Sequence, residues 1–232
     1  MAVAIITGAS KGFGRALATD LARDGWDLVI DARRADELAA AATDLRSFGT
    51  TVHAIPGDVA DAAHRDDLVA AARAIGGLDL LVNNASTLGV SPLPALAEFP
   101  VDEFERVYRV NVTAPLALVQ SALPLLHASH GTIVAVTSDA AVEAYETWGG
   151  YGSSKAALEQ LHNVLAAEQP TLRVYRFDPG DMRTEMHQDA FPGEDISDRP
   201  DPETVVPALR RLLRDGAPSG RYRAADLLQE VG

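Results

Sequence analysis

The chain has 232 residues, a formal net charge of −13 and no cysteine. Without cysteine there are no disulfides, thiolate metal sites or cysteine nucleophiles, and an acidic surface repels the phosphates of nucleic acid. The first residues lack the basic region of a signal peptide, and no apolar run approaches the roughly 18 residues of a membrane span, so we expect a cytoplasmic protein without a membrane partner.

Apolar runs of strand length alternate with longer stretches of helical period. The predicted strands are 3–8, 27–32, 51–59, 78–86, 131–138 and 172–180, and the predicted helices are 13–24, 35–49, 63–77, 101–127 and 152–168. Such helices supply the crossover connections that parallel strands need. The pattern predicts an α/β fold, a doubly wound parallel sheet between two helical layers, as a single domain over 1–232.

The stretch 182–207 is polar and rich in proline. A linker or a disordered tail is one interpretation. Because the stretch leaves the carboxyl end of a strand, where such sheets bind ligands, we favour a substrate-covering loop.

The segment "TGASKGFG" (7–14) stands between the first strand and the first helix. Gly8 allows a tight exit from the strand, and Gly12 and Gly14 allow close backbone approach, so the helix-start N–H groups face a pyrophosphate. Ordinary strand–helix junctions also use glycines, and this spacing is not Gly-x-Gly-x-x-Gly. The segment therefore indicates a dinucleotide-binding turn without proving one.

Tyr151 and Lys155 are four residues apart at a helix start and share one face, and Ser138 ends a strand. Taken singly, such residues are common on solvated surfaces. Reduction of a carbonyl needs a proton for the developing alkoxide, but a free tyrosine has a pKa near 10, about three units too high for neutral pH. A cation about 4 Å away supplies about 4 kcal/mol. We therefore predict that Lys155 lowers the pKa of Tyr151.

Asn111 precedes Pro115 by four residues within a predicted helix. Proline has no N–H to offer the carbonyl of Asn111. That carbonyl is then free to hold a water that extends a proton relay from Lys155, although a simple proline kink is the alternative.

Together these motifs resemble the short-chain dehydrogenase/reductase family, in its compact single-domain branch. The resemblance covers about 3–184 and rests on "TGASKGFG" (7–14), "GDV" (57–59), "NNA" (83–85), Asn111, Ser138, "YGSSK" (151–155) and "PGDMRT" (179–184). It implies a Rossmann-type sheet of six or seven parallel strands. It also implies that Tyr151 is the general acid/base, that Ser138 bonds the substrate oxygen, and that Lys155 contacts the nicotinamide ribose, with Asn111 in the same catalytic group.

The resemblance also implies the residues that contact the cofactor. They are Gly8, Ser10, Lys11, Gly12, Phe13 and Gly14 in the turn, Asp58 and Val59 at the adenine, Asn84 and Ala85 near the ribose, Tyr151 and Lys155, and Pro179, Gly180 and Thr184 at the nicotinamide end. Ser86 departs from the usual "NNAG" and adds a side chain where close approach is expected.

Charge near the ribose 2′ position decides between the two cofactors. Arg33 and Lys11 match the basic positions that bind a 2′-phosphate, whereas Asp31 could accept from a free 2′-hydroxyl. The discriminating acid of the family aligns with Ala32 instead, so we favour NADP(H) over NAD(H).

We therefore predict an oxidoreductase that transfers hydride between NADP(H) and a small carbonyl or secondary alcohol. A non-catalytic NAD(P) sensor or scaffold on the same fold is the alternative; the intact Ser138–Tyr151–Lys155 set speaks against it. The six histidines do not cluster, so we expect no metal. The resemblance implies a homodimer or homotetramer through helices 101–127 and 152–168. Leu88, Trp148, Met182, Met186 and Phe191 line an apolar pocket or serve core packing, and the substrate and direction stay open.

Overall fold

The computed structural model describes residues 1–229, in which seven parallel strands form one sheet in the order β3-β2-β1-β4-β5-β6-β7. They are β1 (Val3–Ile6), β2 (Asp27–Ala32), β3 (Val52–Pro56), β4 (Leu80–Asn83), β5 (Thr132–Val136), β6 (Arg173–Asp178) and β7 (Gly220–Arg223). The doubly wound parallel sheet is thus confirmed. The apolar pattern missed β7, because its sequence "GRYR" is short and polar and the strand lies at the sheet edge.

Nine helices are present within the described residues. They are α1 (Gly12–Arg23), α2 (Ala35–Arg46), α3 (Ala62–Ala74), α4 (Val101–Tyr108), α5 (Ala114–Ser129), α6 (Gly149–Glu168), α7 (Glu185–Ala190), α8 (Pro202–Asp215) and α9 (Ala224–Gln229). The stretch 182–207 is not one continuous loop, since it contains α7 and the start of α8. Local sequence explains both helices: Thr184 caps α7, and Asp201 and Pro202 begin α8.

The helix predicted over 101–127 contains a π turn, Arg109–Thr113, between α4 and α5. Pro115 lacks the N–H that would bond to Asn111, and a wider turn accommodates the missing bond. An 18-residue window within Val101–Ser129 reaches a mean hydropathy of 1.2, so by length and composition this one stretch could cross a membrane. The expectation that no segment has the length and apolar composition of a membrane span is therefore corrected. The stretch nevertheless buries Leu118 and Leu126 against the sheet.

Two apolar cores lie on the two faces of the sheet. Successive strand side chains point to opposite faces, so Val3 and Ile5 of β1 join the core with α3 and α5, whereas Ala4 and Ile6 join the core with α1, α2 and α8. Because both faces are covered, the central strands are continuously apolar. This packing makes the strand ends a rigid base for the loops above them.

The carboxyl ends of β1 and β4 lie side by side where the strand order reverses. Asn84 follows β4, and its side-chain amide donates to the carbonyls of Thr7 (2.8 Å) and Gly8 (3.1 Å). The Thr7 hydroxyl accepts in return from the backbone N–H groups of Asn84 and Ala85, both at 3.0 Å. These hydrogen bonds therefore hold the turn after β1 and the turn after β4 together at the point where the strand order reverses.

The close contact between the turns after β1 and β4 requires a glycine at position 14. A Cβ at Gly14 would overlap the Asn84 amide and lie 2.7 Å from the carbonyl oxygen of Gly8. We expect Gly14→Ala to lower the free energy of unfolding by about 1–3 kcal/mol, because backbone must move to make room. Urea unfolding measures it, with Thr43→Ala on the exposed face of α2 as the control; equal stability of the two variants would contradict this packing.

Candidate active site

The turn between β1 and α1 presents backbone donors. Gly8 and Gly12 have φ values of 66° and 58°, in the left-handed region that favours glycine. Lys11, the N-cap of α1, forms no side-chain capping bond with any residue that the structure describes. The first N–H groups of a helix lack intrahelical partners and form the positive end of its dipole. This turn is therefore suited to a phosphate group.

Gly8 is held from beneath by the buried carboxylate of Asp31. This carboxylate accepts from the Gly8 N–H (2.7 Å) and pairs with Nε2 of His64 (2.9 Å). The hydrogen bond to Asp31 raises the pKa of His64, and burial raises the pKa of Asp31. Sequence reasoning missed His64, because only the folding of α3 against β2 brings it to Asp31.

Three cations line the cavity beside the end of β2: Lys11, Arg33 and Arg34. Lys11 forms an ion pair with Glu185 of α7, and Nη2 of Arg34 lies 3.0 Å from the same carboxylate. The hydrogen bond from Lys11, together with the charges of both cations, lowers the pKa of Glu185. Sequence reasoning named Lys11 and Arg33 but neither Arg34 nor Glu185, which is distant in the chain.

Tyr151 and Lys155 lie on the first two turns of α6, and both are buried. The ammonium of Lys155 donates to the carbonyl of Val136 (2.8 Å) and lies 5.4 Å from the centroid of the Tyr151 ring. Burial lowers the pKa of Lys155 to about 8, and the Glu159 carboxylate one turn along opposes that shift.

The expectation that the pKa of Tyr151 is lowered overall is wrong for this arrangement. Burial raises the pKa of Tyr151, the carboxylates of Asp178 and Asp139 raise it further, and hydrogen bonding with Ser138 and Ser86 only partly opposes the rise. The prediction assumed that the ammonium acts on an otherwise solvated phenol. Loss of water around a buried phenol outweighs that effect, so Tyr151 is protonated at neutral pH.

Ser138 follows β5 and faces Tyr151. Its hydroxyl donates to the carboxylate of Asp139 (2.8 Å) and accepts from the N–H of Ala140 (3.1 Å). The hydroxyl lies beside the Tyr151 phenol, and any other acceptor must compete with Asp139 for its proton.

The side chain of Asn111 is fully bonded. Its oxygen accepts from the Thr87 N–H (2.9 Å) and the Ser86 hydroxyl (3.2 Å), and its nitrogen donates to the Thr87 carbonyl (2.9 Å) and the Ser154 hydroxyl (3.0 Å). Asn111 thus ties the segment after β4 to the helix that carries Tyr151. Ser86 joins this bonded group through its hydroxyl and also lines the cavity.

An ion network lies beneath Ser138. Arg221 of β7 bonds to Glu159 (2.9 Å), to Asp178 (3.0 Å) and to the carbonyl of Ser138 (3.2 Å). Glu159 also accepts from the hydroxyl of Thr137 (2.8 Å). Sequence reasoning missed this network because its members come from four separate elements.

Pro179 and Gly180 follow Asp178 at the end of β6. Gly180 has a φ of 73°, and its N–H donates to the Asp178 carboxylate (3.0 Å). The hydroxyl of Thr184 accepts from the His187 N–H (3.2 Å) as the cap of α7, which leaves its proton for another acceptor.

These elements enclose a cavity of about 620 Å³. Of the predicted site residues, it is lined by Gly8, Ser10, Lys11, Gly12, Phe13, Arg33, Asp58, Val59, Asn84, Ala85, Ser138, Tyr151, Lys155, Pro179, Gly180 and Thr184. Asn111 and Gly14 support this lining from behind. Phe13 is largely a core residue, because its ring stacks on Phe177 with centroids 5.7 Å apart. Within residues 1–229, no group of three or more His, Asp or Glu side chains is arranged to hold a metal.

Residues 2–195 match the family model described as short chain dehydrogenase. The chain belongs to this family. It is 35% identical over 234 residues to sepiapterin reductase of Mus musculus (93% of this chain, 85% of the relative). It is 33% identical over 220 residues to L-rhamnose 1-dehydrogenase (NAD(P)(+)) of Sphingomonas sp. (strain SKA58), covering 92% of this chain and 83% of that relative.

Among solved structures, it resembles an alcohol dehydrogenase from the archaeon Thermococcus sibiricus complexed with 5-hydroxy-NADP. The TM-score is 0.87 with 29% identity, over 96% of this chain and 95% of that one. This short-chain dehydrogenase is therefore an oxidoreductase with an NAD(P)-type Rossmann fold.

The pKa of Lys155 gives a pH prediction. A lysine whose pKa is lowered to about 8 loses its charge as the pH rises through about 8, and the Glu159 carboxylate favours the charged form. The variant Glu159→Gln removes this carboxylate charge but keeps an oxygen for Thr137 and Arg221. In this variant we expect kcat/KM to begin its alkaline decline at lower pH, with a value at pH 9 about threefold or more below that of wild type. A pH–rate profile measures it. Glu168→Gln, at the exposed end of α6, is the control, and superimposable profiles would contradict the role of Glu159.

Proposed function

We propose that the protein is an NADP(H)-dependent reductase of a small carbonyl compound, with Tyr151 as the general acid. The observation that carries the proposal is the position of the buried, protonated phenol of Tyr151 in the same cavity as the uncapped start of α1. One end of the cavity can hold a pyrophosphate, and the other holds a proton donor.

The residues present fit a dinucleotide. The N-terminus of α1 offers N–H donors to the pyrophosphate, and Gly12 leaves an open approach, because a Cβ there would have Thr184 as its nearest neighbour, at 3.5 Å. Asp58 and Val59 line the adenosine end, and Pro179 and Gly180 the opposite end. When bound, a reduced nicotinamide supplies the hydride.

The side chains of the protein donate the proton and stabilise the group that has lost it. The raised pKa of Tyr151 keeps the phenol protonated, which is the form that donates to a carbonyl oxygen. The hydroxyls of Ser138 and Ser86 lie beside the phenol, and to donate to that oxygen they would have to release Asp139 and Asn111, respectively. The Lys155 ammonium, beneath the ring, stabilises the tyrosinate left after donation. We propose reduction as the favoured direction, because burial disfavours a resting tyrosinate.

The proposed preference for NADP(H) is supported by the hydrogen-bond partners of Asp31 and by the cations that line the cavity near it. Both oxygens of Asp31 are used by Gly8 and His64, so this carboxylate is not oriented to accept from a ribose 2′-hydroxyl. Arg33, Arg34 and Lys11 line the same end of the cavity. Glu185 balances part of that positive charge and would have to release it to a 2′-phosphate.

We further propose that α7 and its flanks cover the substrate, because Met182, Met186 and His187 line the cavity beside Tyr151. We also propose a homo-oligomer through α5 and α6. Leu116 and Val164, on those helices, are 37% and 43% exposed in the isolated chain, and burial of such apolar surface drives association.

Tyr151→Phe tests the general acid. Loss of the proton donor should lower kcat at least about 100-fold, and the Kd for NADPH should change little, as measured by absorbance at 340 nm and by fluorescence titration. Tyr108→Phe, a phenol on α4 outside the cavity lining, is the control. A wild-type protein that binds NADPH and is inert across a wide panel of ketones and aldehydes would instead favour a dinucleotide sensor.

Cofactor preference is tested by kcat/KM with NADPH and with NADH. We expect NADPH to be favoured, and we expect Arg33→Ala to reduce the preference by about tenfold, since one charge-assisted bond to the 2′-phosphate is lost. Arg73→Ala, an exposed cation on α3 outside the cavity lining, should leave the ratio unchanged. A wild-type preference for NADH would overturn this assignment.

A further inference from the structure

A small apolar cluster, separate from the two main cores, surrounds the phenol. It consists of the buried residues Leu88, Ala140, Tyr151 and Ala190, with Leu93, Trp148, Met186 and Phe191 packed against them. We call this set the Trp148 cluster. Its members come from the segment after β4, the segment after β5, the start of α6, and α7, so it exists only in the folded protein.

Aromatic rings dominate the side of this cluster nearest the phenol. Trp148 meets Tyr151 edge to face at 5.7 Å between centroids and meets Phe191 at 5.8 Å. Leu88, Trp148 and Met186 also line the cavity. Rings at such spacings accept another ring at their edges or faces, and thioethers pack well against aromatic groups. The part of the cavity next to the proton donor is thus an apolar, ring-lined wall.

The electrostatic environment of the phenol is negative. The carboxylates of Asp178 and Asp139 both disfavour ionisation of Tyr151. Among the described residues that line the cavity, the cations are Lys11, Arg33 and Arg34 at the adenosine end, and Lys155, whose ammonium is bonded to Val136. Arg221, below the floor, is engaged by Glu159 and Asp178. His187 also lines the cavity, with its ring against Phe191 and its Nδ1 3.7 Å from the carboxylate of Asp181. No lysine or arginine in this set is placed to receive an anionic group of a substrate.

We propose that the substrate is an uncharged ketone that carries an apolar ring, with the ring against the Trp148 cluster and the carbonyl oxygen at Tyr151 and Ser138. This inference rests on the proposed function. The wall contributes binding through buried apolar area. A carboxylate or phosphate on the substrate would lose its hydration beside the carboxylate of Asp178, which lines the cavity, and near that of Asp139, with no lysine or arginine to pair with it. This makes its binding unfavourable.

A pair of ketones that differ in charge tests the proposal. With wild-type protein and saturating NADPH, methyl 4-acetylbenzoate should be reduced with a kcat/KM about tenfold or more above that of 4-acetylbenzoate, which has the same ring and ketone. The ratio should be smaller in Asp139→Asn, because a repelling charge is removed. An equal or higher kcat/KM for the carboxylate would overturn the proposed substrate class and leave the proposed reductase activity standing.

Variants of the wall provide the second test. Trp148→Ala should raise KM for the aryl ester about tenfold, with a smaller change in kcat, and should change kcat/KM for 2-butanone by less than about threefold. Trp148→Phe, which keeps a ring, should be intermediate, and Val142→Ala, exposed on the same segment, should match wild type. If Trp148→Ala and Trp148→Phe lowered kcat/KM by the same factor for the aryl ester and for 2-butanone, the proposed binding of the ring against the Trp148 cluster would be contradicted. If wild type binds NADPH but reduces no ketone, the proposed function fails and the substrate class with it.

Discussion

The ion network of Arg221 is the constraint on which the geometry of the site depends. One guanidinium connects the segment after β5, the end of β6 and the middle of α6, by bonding to the Ser138 carbonyl, Asp178 and Glu159. Asp178 is 3% exposed, and a buried charge persists only when it is paired and hydrogen-bonded. The three elements must therefore keep a fixed separation, and they carry Ser138, Pro179 and Tyr151 respectively.

Burial then sets the protonation states in the cavity. It raises the pKa of Tyr151 and lowers the pKa of Lys155 to about 8, so both shifts disfavour charge. A phenol that resists ionisation is matched to proton donation, and an ammonium beneath the ring becomes useful when the proton has left. The same loss of water that raises the pKa of Tyr151 would also penalise a charged substrate, so the proposed mechanism and the proposed substrate class have one physical origin.

A second buried pair acts at the other end of the cavity. Asp31 and His64 hold the N–H of Gly8, and the Asn84 amide holds the Gly8 carbonyl, so the first glycine of the turn is bonded from two directions. This preorganises the backbone donors of α1 before any phosphate arrives. Glu185 reaches from α7 to Lys11 and Arg34 and so links this end of the cavity to α7.

The sequence by itself determined the strand–helix alternation, the glycine turn and the Tyr151–Lys155 spacing, because these depend on residues close together in the chain. It also indicated the π turn in part, since Pro115 removes one identifiable hydrogen bond. It could not show β7, whose four residues become a strand only beside β6. Nor could it show His64, Glu159 or Arg221 at the site, or the direction of the Tyr151 pKa shift. Those depend on distant segments meeting and on the exclusion of water between them, and only the tertiary structure decides which groups lose their water and which partners replace it.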